Sequence, residues 1–222
     1  MDAIGNRTSV VETPYGQQGT TTSYTKNAMN EYTQIALVTR THDDNGNLTD
    51  AGANEYAYNW RNQLVQVVRK SDAYVLGAYW HDALGRRVRK DTLNETVSTR
   101  YLYDGLHCVE ERGSSGTLLR KFAFGQRIDE ILWMEAPDVA DVDDDSNTAE
   151  LMRFYYHTNS LGSVTHLTDP NENVVEQYEY TPYGQATILD GTGNDLSVLS
   201  AVGNPWMYTG RRLDEESGLF SY

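Results

Sequence analysis

Tyr79-Trp80-His81-Asp82-Ala83-Leu84-Gly85-Arg86-Arg87-Val88-Arg89-Lys90 is the stretch whose reading decides the fold. Asp at the first position of a four-residue turn accepts hydrogen bonds from the backbone two residues on. Gly at the last position tolerates a left-handed backbone. Together they predict a type I turn with a left-handed exit, a common hairpin connection. The flanks are β-prone, with aromatic residues before the turn and a partly alternating basic run after it. The unit reads as strand, tight turn, strand.

The unit recurs. Tyr56-Ala57-Tyr58-Asn59, Tyr79-Trp80-His81-Asp82 and Tyr101-Leu102-Tyr103-Asp104 start at near-constant spacing, with weaker copies at Tyr155-Tyr156-His157 and Tyr178-Glu179-Tyr180-Thr181. Related turns are Asp2 to Gly5, Asp43 to Gly46, Asn59 to Asn62, Asn159 to Gly162 and Thr181 to Gly184. The first position keeps a short acceptor side chain, and the last keeps Gly or Asn. Asp43, Gly46, Asn59, Asn62, Asp82, Gly85, Gly162 and Gly184 are therefore the candidate turn residues. Tyrosines at i and i+2 share one strand face. Tyr56, Tyr58, Tyr79, Tyr101, Tyr103, Tyr178 and Tyr180 are expected to stack between hairpins, because one hairpin alone is marginal and an array gains stability from its neighbours. The fold class is all-β, built of stacked antiparallel hairpins.

Composition agrees. The 222 residues carry 16 tyrosines against 4 phenylalanines, as suits surfaces half buried and half wet. Mean hydropathy is −0.61. The formal charge of −14 argues against nucleic acid as a partner, since phosphate recognition needs clustered Lys and Arg. The single cysteine, Cys108, forms no intrachain disulfide. No stretch approaches the length of a transmembrane helix, so no membrane insertion is expected. Residues 135–150 are acidic without Lys or Arg and read as an insertion, solvated from 136 onward. Residues 27–40 fit a short helix or a strand. Residues 186–205 read as a loop with a short ordered insert at Leu196 to Leu199.

The Tyr-Asp repeats, Tyr155 to Val164 (YYHTNSLGSV), Tyr178 to Gly184 (YEYTPYG) and Tyr208 to Leu219 (YTGRRLDEESGL) resemble the RHS (YD-repeat) family and its repeat-associated core domain. The resemblance covers nearly the whole chain. It divides the chain into repeat hairpins over 1–125 and a core region over 126–222, and it makes Arg211, Arg212 and Asp214 core-motif residues. It implies a ribbon spiralling into a hollow shell around a C-terminal effector, often a toxin. It implies a bacterial secreted or cell-surface setting, and as partners the rest of the shell and its cargo. Chains of this kind continue into an aspartate-dependent self-cleavage region, which here would lie beyond Tyr222. Met1 is expected to replace upstream chain, since Asp2 to Gly5 lacks its first strand.

The expected role is a non-catalytic shell segment without cofactor, with self-association through open sheet edges at both ends. The alternative is a surface adhesion or glycan-binding module presenting Trp60, Trp80, Trp133 and Trp206. Asp141, Asp143 and Asp145 alternate as at the start of a calcium loop, but Ser146 and Met152 stand where that loop needs Gly and Glu, so a solvated insert is the expectation. The five histidines lack metal-ligand spacing, and His107 and Cys108, adjacent on a strand, point to opposite faces.

Overall fold

The computed structural model describes residues 1–12, 19–127, 129–138, 150–196 and 199–221. Strands β1 (Ser9–Glu12), β2 (Thr20–Lys26), β3 (Tyr32–Ile35) and β4 (Val38–Thr39) form one small antiparallel sheet. There follow β5 (Thr41–His42), β6 (Leu48–Asp50), β7 (Asn54–Tyr58), β8 (Leu64–Arg69), β9 (Tyr74–His81) and β10 (Arg87–Thr92). Then come β11 (Val97–Asp104), β12 (His107–Gly113), β13 (Leu118–Phe124), β14 (Ile131–Pro137), β15 (Leu151–Thr158), β16 (Val164–Thr168), β17 (Val174–Tyr180) and β18 (Ala186–Asp190). A 3-10 turn at Tyr208–Gly210 precedes the last hairpin, β19 (Arg212–Asp214) and β20 (Leu219–Ser221).

The chain forms two compact units, Met1–Trp80 with Asp91–Thr96, and His81–Lys90 with Val97–Tyr222. In each, neighbouring strands are consecutive in sequence and antiparallel, so the hairpin is the building unit. The boundary drawn at 125/126 marks a change of motif and falls between β13 and β14, inside the second unit. Asn27 to Asn30 is a turn, and within the segment 27–40, which fitted either helix or strand, the regular elements are the strands β3 and β4.

The turns hold a device wider than four residues. Asp43 Oδ1 accepts from the N–H groups of Asn45 (3.0 Å) and Asn47 (2.9 Å), and Oδ2 accepts from Asn47 Nδ2 (2.8 Å). The same fifth-residue bond joins Asn6 to Asp2, Arg86 to Asp82, Asn173 to Asp169 and Asn194 to Asp190. At Asn27 and Asn59 the polarity inverts. Asn27 Nδ2 donates to Glu31 Oε2 (2.6 Å), and Asn59 Nδ2 donates to Gln63 Oε1 (3.0 Å). A carboxylate only accepts, so it needs a donor at the fifth position; an amide also donates, so an acceptor serves.

These bonds hold Asp2, Asp43 and Asp190 below the usual carboxylate range, chiefly through the fifth-residue amide. At Asp82 burial works the other way, and Arg86 overcomes it. A lowered folded pKa adds stability that is present above the unfolded value of about 4 and lost as pH falls through the folded one. Urea melts are therefore expected to show a midpoint that drops below pH 4. An Asp43→Asn, Asn47→Gln double variant, which keeps donor facing acceptor without a titrating group, should drop less. An equal drop in both proteins would contradict this account.

Period-2 alternation fills the core of the second unit. Met134 and Ala136 on β14, Met152, Phe154 and Tyr156 on β15, Leu167 on β16, Tyr178 on β17 and Ile188 on β18 share one buried face with Val202 and Met207. This alternation corrects two expectations. The acidic stretch does not start as a solvated loop: β14 runs through Pro137, Ala136 is buried, and Asp138 N–H donates to Glu150 O across the hairpin base. Residues 186–190 are strand, because Ile188 buries beside Tyr178. At this end the sheet edge is not bare either. The chain reverses at Asp190 to Gly193, and Leu196 N–H donates to Ile188 O at 2.8 Å. Asp141, Asp143 and Asp145 lie outside the described residues.

Candidate functional site

The second unit folds its last described segment, 199–221, back over the sheet, and the buried polar side chains Ser200, Asn204, Arg212 and Asp214 sit there. The segment is seated from residue 200 onward. Ser200 Oγ donates to Glu176 Oε2 (2.8 Å), Val202 N–H donates to Glu176 Oε1 (3.2 Å), and the Tyr178 hydroxyl also donates to Glu176. Asn204 is fully buried. Its Oδ1 accepts from Tyr156 OH (2.6 Å) and Trp206 N–H (2.9 Å), while Nδ2 donates to Trp206 O (2.8 Å). The buried side chains of Glu176 and Asn204 thus have their partners, as burial demands.

The 3-10 turn clips this segment to the hairpin tips. Val164 N–H donates to Met207 O (3.1 Å), and Thr209 N–H donates to Ser163 Oγ (2.9 Å). Thr209 takes φ 50°, rare for a β-branched residue. Tyr208 lies on the Thr181–Gly184 turn, with its hydroxyl donating to Pro182 O (3.0 Å). Gly184 has φ 86°, and a Cβ there would come within 2.6 Å of the Tyr208 ring. Gly184→Ala is expected to cost about 1–3 kcal/mol in a thermal or urea melt. Gly193→Ala, also left-handed but with open space around it, isolates the backbone part; equal costs would remove the Tyr208 contact from the explanation.

Arg212 is the centre of the segment. Its guanidinium pairs with Glu111, which also accepts from Arg120 Nη1 at 2.7 Å. It lies 4.9 Å from the Tyr101 ring centroid and 5.0 Å from that of Trp206. Burial opposes charge on Glu111, yet Arg212 and Arg120 hold its carboxyl below the usual range. Two residues on, Asp214 accepts from Arg87 Nη1 at 2.6 and 2.7 Å, and Lys90 bridges Asp214 (3.5 Å) and Glu216 (3.1 Å). Arg211, just before β19, pairs with Asp129 at 3.0 Å. Burial pushes the Cys108 thiol up to about 11, away from thiolate chemistry, and raises the Glu215 carboxyl.

The candidate residues divide as follows. Gly46, Asn62, Gly85, Gly162 and Gly184 all have φ between 60° and 90°. Tyr56, Tyr79, Tyr101 and Tyr178 are buried, and Tyr58, Tyr103 and Tyr180 half-buried. Several rings meet partners other than the repeat tyrosines. Tyr101 meets Arg212, Tyr103 lies 4.8 Å from Arg86, and Tyr180 lies 5.5 Å from Tyr208. A guanidinium facing a ring satisfies both at a half-wet position. Of the tryptophans, Trp206 packs edge-on against Phe122 and Phe124, and Trp133 has Arg153 at 4.4 Å and Lys121 at 5.9 Å. Trp60 is exposed beside Arg61, and Trp80 is partly exposed.

Glu111, Glu176, Asn204, Arg87 and Lys90 were not anticipated. Among the described residues, no group of three or more His, Cys, Asp or Glu side chains is arranged to hold a metal ion. No helix among them is long and apolar enough to cross a membrane. An open groove of ≈ 350 Å³ in the first unit is lined by Thr41, Thr49, Asp50, Glu55, Tyr56 and Gln66. The arrangement at 199–221 therefore works as a latch: paired charges and satisfied amides fix a returning segment to a sheet.

No family model matches the chain. It is 26% identical over 221 residues to the tRNA3(Ser)-specific nuclease WapA of Bacillus spizizenii, and equally to the tRNA nuclease WapA of Bacillus subtilis. These alignments cover 99% of the chain but only 8% of either relative. Among solved structures it resembles a chain of the TcdB2-TccC3 crystal structure, with TM-score 0.66 and 19% identity over 97% of this chain and 11% of that one. A chain of the Photorhabdus luminescens Tc holotoxin pore, carrying TccC3-D651A, gives TM-score 0.66 and 18% identity over 94% and 10%. The fold is thus one found in toxin-complex chains.

Proposed function

We propose that this chain is a wall segment of an RHS-type shell that encloses a C-terminal effector polypeptide and performs no turnover of its own. The observation that carries this reading is the latch. Hairpins stacked in sequence order have one sheet face closed by the chain's own returning segment, and the buried charges there are met by opposite charges or by hydrogen-bond donors. The fold shared with toxin-complex chains supports it. So do the WapA relatives, whose named nuclease activity belongs to proteins of which this chain spans about 8%. The parent protein on this reading is bacterial and secreted or surface-exposed, and the partners are the remaining shell and its cargo.

Limited proteolysis tests it. In the longer protein carrying this chain, the effector should resist trypsin while the shell is intact. It should become sensitive when the latch is broken by Arg212→Met. An effector digested at the same rate in the intact protein as when free would overturn the reading.

A further inference from the structure

On the outer face of the second unit, His157 (β15) and His166 (β16) are direct cross-strand partners. Their rings lie face to face, with centroids 4.2 Å apart and planes 6° from parallel. The threonines around them fix the protons. Thr165 Oγ1 donates its only hydrogen to His157 O (3.0 Å), so its 3.1 Å contact with His166 Nδ1 must run from the ring N–H to the hydroxyl oxygen. His166 is therefore the Nδ1–H tautomer, with a free lone pair on Nε2. His157 Nε2 contacts Thr168 Oγ1 at 3.1 Å, leaving Nδ1 uncommitted. Burial and the neighbouring imidazole both lower the His166 pKa.

We propose that His157 and His166 form a two-imidazole site for a divalent transition metal such as Cu²⁺ or Zn²⁺, with water filling the remaining positions. Imidazole nitrogen suits both ions, and the affinity order favours copper. A hydrogen bond that fixes one ring nitrogen and presents the other is the arrangement metal-binding histidines use. To share one ion, the exposed His157 ring turns about its Cβ–Cγ bond and releases Thr168. The site lies on the hairpin that also carries Ser163 and Val164, the anchors of Thr209 and Met207. A bound ion would therefore tie β15 to β16 beneath the latch. Because the inference uses only this hairpin, it stands apart from the shell reading and is tested apart from it.

Titration calorimetry of the full chain with CuCl₂ and with ZnCl₂ is the test. One ion per chain is expected, with affinity reduced by at least about tenfold in His157→Asn and in His166→Asn. His107→Asn should leave binding unchanged, since that ring stacks on Phe124 instead. Thr165→Val keeps both ligands but removes the acceptor that fixes the tautomer, and is expected to weaken binding without abolishing it. Absence of heat up to about 1 mM ion, or unchanged binding in the double His variant, would refute the site. Nitrogen-15 spectra of the metal-free protein give an independent check: an Nε2–H tautomer at His166 would also refute it.

Discussion

Arg212→Met is expected to destabilise the second unit by about 3 kcal/mol, at the lower end of the cost of breaking a buried ion pair. The methionine fills much of the same volume between Tyr101, Phe122 and Trp206, so packing is largely kept. What is lost is the counter-charge of Glu111, which is almost wholly buried. Arg120 still reaches its Oε2 at 2.7 Å, and for that reason the upper end of the range is not expected. Restoring neutrality should rescue the variant. Arg212→Met with Glu111→Gln is expected to regain more than half of the loss, because a neutral amide costs less to bury than a bare carboxylate. Urea unfolding followed by tryptophan fluorescence reads both, since Trp206 touches Arg212 directly. If the single variant is as stable as the parent, the latch is not held by this pair. If the double variant is worse than the single, charge balance is not the reason.

Phe154→Ala is expected to cost about 3–5 kcal/mol, the range for emptying an aromatic site in a packed core. Phe154 is fully buried and pairs across to Met134, which is fully buried too. Both lie on strands with neighbours on either side, so the backbone has little room to collapse into the void. Leu102→Ala makes the contrast: on β11, with 41% of its surface exposed, it should change stability by less than about 0.5 kcal/mol. Chemical denaturation of both variants in parallel decides this. Similar costs would mean that the face containing Phe154 is not the core.

The hairpin architecture was legible because its signals are local. An acceptor side chain, a left-handed exit and alternating flanks all lie within about a dozen residues, and repetition made each copy support the others. The latch was not legible for the opposite reason. Asp214 and Arg87 are 127 residues apart, and Arg212 and Glu111 are 101 apart. The motif around Arg212 and Asp214 marked the place but not the partners, since nothing in a strand such as His107–Gly113 says which face its glutamates take once a bulge shifts the register. Two segments misled for a simpler reason. Acidic composition outweighed alternation at Glu135 to Pro137, and Gly, Asn and Asp content outweighed it at Ala186 to Asp190. In both, one inward residue, Ala136 or Ile188, decided the outcome. The fifth turn residue was missed because it varies: Asn6, Glu31, Gln63 and Arg86 look unrelated until donor and acceptor are matched.

That matching rule has a consequence for how such a protein can change over generations. Each Asp-first bend such as Asp43–Asn47 satisfies its first carboxylate from within five residues, and bonds such as Asn47 Nδ2 to Asn62 Oδ1 add to that without replacing it. Two strands with their bend can therefore be duplicated or deleted as a cassette, leaving the joints on either side chemically complete. Length becomes a freely adjustable quantity, while identity inside a joint is constrained in pairs. An Asp that mutates to Asn at the first position makes its old donor partner redundant and an acceptor newly useful. Drift along such a chain should leave a record of paired exchanges within bends and of gains and losses counted in whole cassettes.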